Sequence, residues 1–260
     1  MLNIRVIPCL LWRGDGLIKT VRFRNPVYVG DAINAIRIFN EKEVDELIIL
    51  DVEASKKNSG PDIAFIKRIA SECFMPLCYG GGIRTVKDIK EVVAAGVEKV
   101  SLNTIAVQDP EFVRTASKAF GSSTIVVCID YRKNVFGKAA VTFMAGQNRS
   151  KYTPLNFARL MEEMGAGEIV LNSIDRDGTL SGYDLDLLSE ITAAVSIPVI
   201  ALGGAGNIQH FEQAIAKSRV SAVAAGSMFV FKGVHKAVLI NYPSVSSLND
   251  LNRLYKGLGV

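Results

Sequence analysis

The sequence predicts an α/β fold, a (β/α)8 TIM barrel built from two repeated half-barrels, and three observations point to it. Eight apolar, β-branched runs alternate with eight amphipathic helical stretches along 260 residues. The runs are continuous rather than alternating, as in parallel strands buried on both faces. The chain also repeats itself at half its length: Pro76 and Pro198, like Gly81 and Gly203, stand 122 residues apart. An open doubly wound sheet is the alternative, but it more often stops at about five to seven strands.

Each unit follows in order. The first strand is expected over 5–11, then a loop through 13–30, then a helix over 31–42 with Asp31 at its N-cap. The second strand, 46–51, precedes a helix over 61–72. The third, 76–79, runs into Gly80, Gly81 and Gly82 before a helix over 85–95. Strand 99–102 and helix 110–119, opened by Asp109-Pro110, complete a half of about 1–121. The second half, about 122–260, begins with strand 125–130 and helix 154–164 behind Thr153-Pro154. It continues with strand 168–171, helix 184–194 behind Asp184, strand 198–202, helix 207–217, strand 222–225 and a helical tail within 234–257. LIILDVEASKKNSG (47–60) aligns with IVLNSIDRDGTLSG (169–182). No Pro/Ser-rich linker stands near residue 120, so one barrel domain over 1–260 is expected.

Composition excludes several classes. With 49% hydrophobic and 22% charged residues the chain is not disordered, and 22 glycines and four cysteines rule out collagen-like and disulfide-scaffold proteins. A net charge of +4 without a basic run leaves no nucleic-acid footprint. No apolar segment approaches the roughly 20 residues of a membrane span. MLNIRVIPCLLWRG is too short and interrupted for a signal peptide, so a cytoplasmic protein is expected. Cys9, Cys78 and Cys128 fall in strand-like runs and Cys73 near a helix end; there is no CxxC, and His210 and His235 lie far from them. Free thiols in a reducing compartment, without metal or cofactor, are expected.

In a barrel the loops after the strands form the working mouth. Glycines there expose backbone N–H groups at helix starts, which suits a phosphate. Gly81 and Gly82 after strand three and Asn103 and Thr104 after strand four make one such set. Gly203 and Gly204 after strand seven, Gly226 and Ser227 after strand eight, and Asp177-Gly178 after strand six make its mirror. Two related anion sites fit a substrate charged at both ends; tight strand-to-helix turns are the plainer reading. Asp130 ends strand five after an apolar run, a poor place for packing and a good one for acid–base catalysis. Asp51 ends strand two, with Asn172 read as its mirror in strand six; Asp51 has the further option of capping its own loop. Lys19, after strand one, either reaches over the mouth or is a solvated loop lysine. Aligning Cys9 with Cys128 puts Leu11 opposite Asp130, so a two-acid mechanism lacks one partner. Asp15 takes that place only if its loop folds back. At the other rim, Arg5, Glu46, Lys99 and Glu168 stand at strand starts with alternating sign. They read either as surface pairs of little energetic value or as an inward salt-bridge ring that acts as a gate.

The stretches GGGIRT…VEKVSLNT and SIDRDGTLSGYD…IPVIALGGAG resemble the cyclase subunit of imidazole glycerol phosphate synthase, and the likeness runs over essentially the whole chain. The resemblance implies a glutaminase subunit docked at the barrel bottom as a heterodimer. It also implies an ammonia gate at Arg5, Glu46, Lys99 and Glu168, phosphate binding at the glycine-rich sets above, and substrate contact by Lys19. The family's catalytic pair is an Asp ending strand one and an Asp ending strand five. Asp130 matches the second, whereas CLL stands here for CLD, with Leu11 at the first. IPCLLW…GDGLIKTVRF instead resembles a paralogous branch serving acetamidino modification of nucleotide sugars for surface polysaccharide, linked with a sugar amidotransferase. Three readings follow: an ammonia-channelling barrel of that branch, an orthodox cyclase (carbon–nitrogen lyase type) of histidine biosynthesis, or a non-catalytic phosphate-binding activator of a glutaminase.

Overall fold

A computed structural model describes residues 3–233 and 235–259; Met1, Leu2, Val234 and Val260, which bound the expected domain and its tail, lie outside the described residues. Eight parallel strands form the barrel: β1 (Arg5–Trp12), β2 (Leu47–Asp51), β3 (Leu77–Gly80), β4 (Lys99–Leu102), β5 (Ile125–Lys133), β6 (Glu168–Ser173), β7 (Val199–Leu202) and β8 (Ala222–Ala225). Each pairs with its chain neighbour, and β8 returns to β1, so the sheet has no barrel edge. The helices are α1 (Ala32–Glu41), α2 (Ile63–Ala70), α3 (Val86–Ala94), α4 (Pro110–Phe120), α5 (Pro154–Glu163), α6 (Leu185–Thr192), α7 (Ile208–Ser218) and α8 (Val245–Gly257).

Alternate residues of each strand point to opposite sides. One set packs outward against the helices around Phe39, Tyr79, Phe157 and Phe211. The other fills the bore with a slim apolar plug that includes Ile7, Cys9, Cys78, Cys128, Val170 and Leu202. Helix α1 shows the complement, burying Ala32, Ala35, Ile36 and Phe39 at helical spacing. Asp31 accepts from the Asn34 N–H and Thr153 from the Asn156 N–H, as N-caps should. Asp109 and Asp184 hold N-cap positions without making a side-chain cap. Asp184 is drawn elsewhere: it accepts from the Tyr131 hydroxyl at 2.9 Å and pairs with Lys133 at 2.6 Å.

Two excursions depart from the simple alternation. The loop expected through 13–30 is a β-hairpin, Leu17–Val21 against Arg24–Gly30, joined back to β1 through Leu11 opposite Ile18. Its tip is Arg22-Phe23, both left-handed with φ of 55° and 62°, the backbone of a two-residue hairpin turn. Neither residue is the Asn or Gly that usually announces such a turn. The Arg22 N–H donates to the Asp177 carbonyl and its Nε to the Asp175 carbonyl, which offsets the strain. The second excursion, Ala139–Phe143 with Asn148–Arg149, pairs antiparallel to β5. Among the described residues no helix is long and apolar enough to cross a membrane.

Trp12 at the end of β1 stacks on Phe65 of α2, ring centroids 3.7 Å apart and planes 8° from parallel. It is the only tryptophan in the chain. Truncation of Phe65, which is buried, leaves a cavity under that ring. Phe65→Ala is expected to lower the unfolding free energy by about 3–5 kcal/mol, read from urea denaturation followed by Trp12 fluorescence.

Candidate functional site

The barrel is closed at its N-terminal end by four charged side chains. Arg5 donates to Glu46 at 2.6 Å and to Glu168; Lys99 donates to Glu46 at 2.9 Å and to Glu168 at 3.0 Å. The result is a continuous ring in which each cation bridges both carboxylates. Glu46 and Glu168 are buried, while Arg5 and Lys99 keep partial access to solvent. Burial alone would lower the pKa of both cations, but Glu168 and Glu46 outweigh it, so both are held more firmly protonated than free side chains. Of the two readings of these strand-end charges, scattered surface pairs are therefore set aside.

At the opposite end, Asp130 closes the inward column Val126–Cys128–Asp130 of β5. Asn172, its partner in the parallel ladder, donates from Nδ2 to Asp130 Oδ1 at 2.7 Å. The Asn172 Oδ1 is buried without a hydrogen-bond partner. Burial pushes the Asp130 carboxyl up to about 7, only partly opposed by Asn172 and by the Cys128 thiol 3.6 Å away. A carboxyl held there is present in both protonation states near neutrality, the condition for giving and taking protons.

The first glycine-rich set opens on the same space. Gly81, Gly82, Asn103 and Thr104 line one cleft of about 650 Å³ with Asp51, Cys128 and Asp130. The Asn103 amide donates to the Cys128 carbonyl at 3.0 Å, and the Thr104 hydroxyl accepts from the Met144 N–H at 3.2 Å. The second set gathers around Lys19. Its Nζ lies 3.2 Å from Asp177 Oδ1, is almost wholly buried, and would be 2.6 Å from a Cβ added to Gly226. Gly178 has φ of 73°, and a Cβ there would meet the Thr20 carbonyl at 2.3 Å, so the hairpin rests directly on this turn. A Cβ on Gly203 would stand 2.6 Å from Asn172 Oδ1. Gly204 accepts from the Gly182 N–H, and Ser227 opens a short helix, Ser227–Val230, beside them.

Several expectations are corrected. Lys19 is not a solvated loop lysine but a buried member of a strand with an ionic partner. Asp51 is not the counterpart of Asn172. In the ladder Leu11 stands beside Leu50 and Trp12 beside Asp51, so Leu50 faces inward and Asp51 sits on the outer register. Its carboxylate accepts from the Glu53 and Ala54 N–H groups at 2.9 and 3.0 Å, which makes it the cap of its own loop. Asp15 does not fold back: its carboxylate is 71% exposed and stands 3.8 Å from Arg13. Leu11 is buried at the mouth but lines a different cleft from Asp130. Sequence reasoning missed Phe23, which lines both clefts and packs toward Gly146. It also missed Leu50, although the 122-residue offset pairs it with Asn172 directly.

Eight parallel strands closed into a barrel, with an acid and glycine turns at one end and an ionic ring at the other, define the chain as a (β/α)8 barrel protein. The family described as histidine biosynthesis protein matches residues 5–235. The chain is 52% identical to a Pseudomonas aeruginosa protein provisionally named imidazole glycerol phosphate synthase subunit hisF2, over 96% of this chain and 99% of that one. It is 47% identical to a Vibrio vulnificus protein provisionally named subunit hisF3, over 95% of each. Identity to the imidazole glycerol phosphate synthase subunit HisF of Alkaliphilus metalliredigens is 38%, over 90% of this chain and 93% of that one. The chain belongs to the histidine biosynthesis protein family, as a HisF-type cyclase-subunit barrel.

The Asp130 environment has a pH signature. Its folded pKa lies above the ordinary carboxylate value of 3.8, so the folded state holds the proton more tightly than the unfolded one. Between about pH 4 and 7 this site therefore loses stability as pH rises, and above 7 the full cost of a buried charge remains. Asp130→Asn is expected to stabilise the protein relative to the parent at pH 8, by on the order of 4 kcal/mol, with the difference shrinking toward pH 4. Urea denaturation at the two pH values checks the sign.

Proposed function

We propose that this chain is the ammonia-receiving barrel of a glutamine amidotransferase pair. A glutaminase subunit docks at the N-terminal end of the barrel, ammonia passes the Arg5–Glu46–Lys99–Glu168 ring, and it meets a phosphorylated substrate beside Asp130. The observation that carries this reading is a single column: Glu168, Val170 and Asn172 occupy the same face of β6. Four residues of strand span about 13 Å, from the ring to the group that holds Asp130. The wall between them is apolar, and burial keeps its thiols protonated, with Cys9 pushed up to about 12. Such a wall suits neutral ammonia and resists ammonium. The relatives named as subunits of imidazole glycerol phosphate synthase support an assembled partner.

In this reading Asp130 handles the proton and Lys19 contacts substrate. Gly81, Gly82, Asn103 and Thr104, with Asp51 bracing its loop, hold one anionic group. Asp177, Gly178, Gly203, Gly204, Gly226 and Ser227, beside Asn172, hold another. With Leu11 in place of a second acid, the two-acid ring closure of the orthodox cyclase lacks a participant. We place the chain in the branch that supplies ammonia for acetamidino modification of a nucleotide sugar, working with a sugar amidotransferase. Support comes from IPCLLW…GDGLIKTVRF and from the greater likeness to the relatives named hisF2 and hisF3 than to HisF of Alkaliphilus metalliredigens.

Purified chain given ammonium salt and the phosphorylated ribulosyl intermediate of the orthodox reaction is expected to form no cyclised product. Robust turnover that Asp130→Asn abolishes would overturn the branch assignment in favour of the histidine-pathway cyclase. The route is tested separately with the glutaminase present. Lys99→Ala is expected to cut glutamine-supported amination at least about tenfold, about 1.4 kcal/mol of barrier, while leaving ammonium-supported amination intact. Equal losses from both nitrogen sources would remove the ring as the point of entry. No amination by the parent from either nitrogen source, with glutaminase stimulation retained, would favour a non-catalytic activator.

A further inference from the structure

Two clefts adjoin at the barrel mouth. Phe23, Val52 and Ala145 line both and mark the divide where the two meet. On one side stand Asp130 and the Gly81, Gly82, Asn103 and Thr104 turns. On the other is a cleft of about 540 Å³ floored by Leu11 and Ile18 and walled by Pro26 of the hairpin. The asymmetry is written into the ladder, where the first half presents Leu11 beside Leu50 and the second presents Asp130 beside Asn172. The same register position is thus apolar on one side of the mouth and acid–amide on the other.

The charges at the rim of the apolar compartment are not balanced. Glu53 is neutralised by Lys57 at 2.5 Å, and Arg13 faces only the exposed Asp15 at 3.8 Å. Lys56 has no ion-pair partner among the described residues. An apolar floor under a net positive rim, open to water and adjoining an anion-type turn, matches a ligand that is apolar in one part and anionic in another. The ladder partners of Leu11 are Ile18 and Leu50, so an Asp at position 11 would lack the cross-strand amide that Asn172 gives Asp130.

We propose that the Leu11–Ile18–Phe23 compartment binds an uncharged, apolar substituent of a phosphorylated substrate whose phosphate sits at the Gly81/Gly82 and Asn103/Thr104 turns. Leu11 is then a specificity-determining residue and not merely a vacancy in an acid pair. This rests on the phosphate reading of those turns given above. The hairpin completes the compartment, because Ile18, Phe23 and Pro26 all come from it. Phe23 is held over the divide by the left-handed tip and by its packing toward Gly146 and its turn.

Isothermal titration of the full chain with inorganic phosphate, methyl phosphate and n-butyl phosphate tests the idea. A fully buried methylene is worth about 0.8 kcal/mol, about fourfold in affinity. Butyl phosphate is therefore expected to bind at least about tenfold more tightly than methyl phosphate. In Leu11→Asp that preference should collapse to within about twofold, with inorganic phosphate affinity retained. Phe23→Ala, at a half-buried hairpin position outside the barrel core, should reduce the preference severalfold and guards against misfolding of the first variant. Equal affinity of the two esters in the parent, or a preference that survives in a folded Leu11→Asp, would overturn the compartment while leaving the phosphate reading intact. Absence of binding by all three probes would overturn both.

Discussion

Strand alternation inside a closed barrel is the constraint from which the rest of this molecule follows. Only every second residue of each strand reaches the bore, and its depth is fixed by the parallel register. On β6 that places Glu168 at the bottom, Val170 in the plug and Asn172 at the mouth. On β5 it places Cys128 and then Asp130 beside Asn172. A one-residue slip would bury the charges of the ring against the helices and turn Asp130 into the outer core. The continuous apolar character of the strands and the capped amphipathic helices outside them hold that register. The polar ends of the bore are tolerated because each charge in them finds a partner or, at Asp130, a proton.

The mouth is built by a second layer of interactions that the strands alone do not supply. The hairpin after β1 crosses to the β6 loop and delivers Lys19 to Asp177, a pair with both side chains buried. An ion pair so enclosed carries a large desolvation cost, so it is weak evidence for stability and is better understood as fixing where the hairpin sits. The hairpin tip is strained at Arg22 and Phe23 yet tied down by backbone bonds to Asp175 and Asp177. Strain combined with specific anchoring at a site rim is the arrangement expected of a segment that must stay in one place while ligands come and go.

Most of the framework was legible because it rests on periodicity. The eight strands and eight helices fall within a few residues of the expected bounds, and Asp31 and Thr153 cap where their residue types suggest. The four charged strand starts were legible as rim residues for a related reason, but whether they paired inward or lay as surface pairs was decided by the structure. What escaped was decided by tertiary contact. The hairpin over 17–30 carries no Asn-Gly signal, since its tip is stabilised from outside by β6-loop carbonyls. Lys19 reads either as a residue reaching over the mouth or as a solvated loop lysine until the strand that buries it is known. Asp51 and Leu50 are adjacent in sequence; the 122-residue offset pairs Leu50 with Asn172, but the carboxylate draws the reading to Asp51, and the register settles which one faces the bore. Asp184 resembles a helix cap but is claimed by Tyr131 and Lys133, two residues of β5.

A mouth with one acid has a chemical consequence. When ammonia adds to an electrophilic carbon, the new ammonium centre must lose a proton, and a carboxylate poised near neutrality can accept it. Expelling a nitrogen leaving group in the same turnover needs a second group that donates a proton from the opposite side. Leu11 offers none, and Asp51, tied to its own loop amides, is not free to replace it. Asp15 is exposed beyond the rim. The arrangement therefore favours a step that moves a single proton at Asp130 while the other half of the mouth grips an apolar part of the substrate. Leucine where the resembled family carries an acid is, on the proposed reading, more than a missing group. In that reading it makes its side of the mouth a binding surface, and ammonia supplied from below meets a site with Asp130 as its one acid.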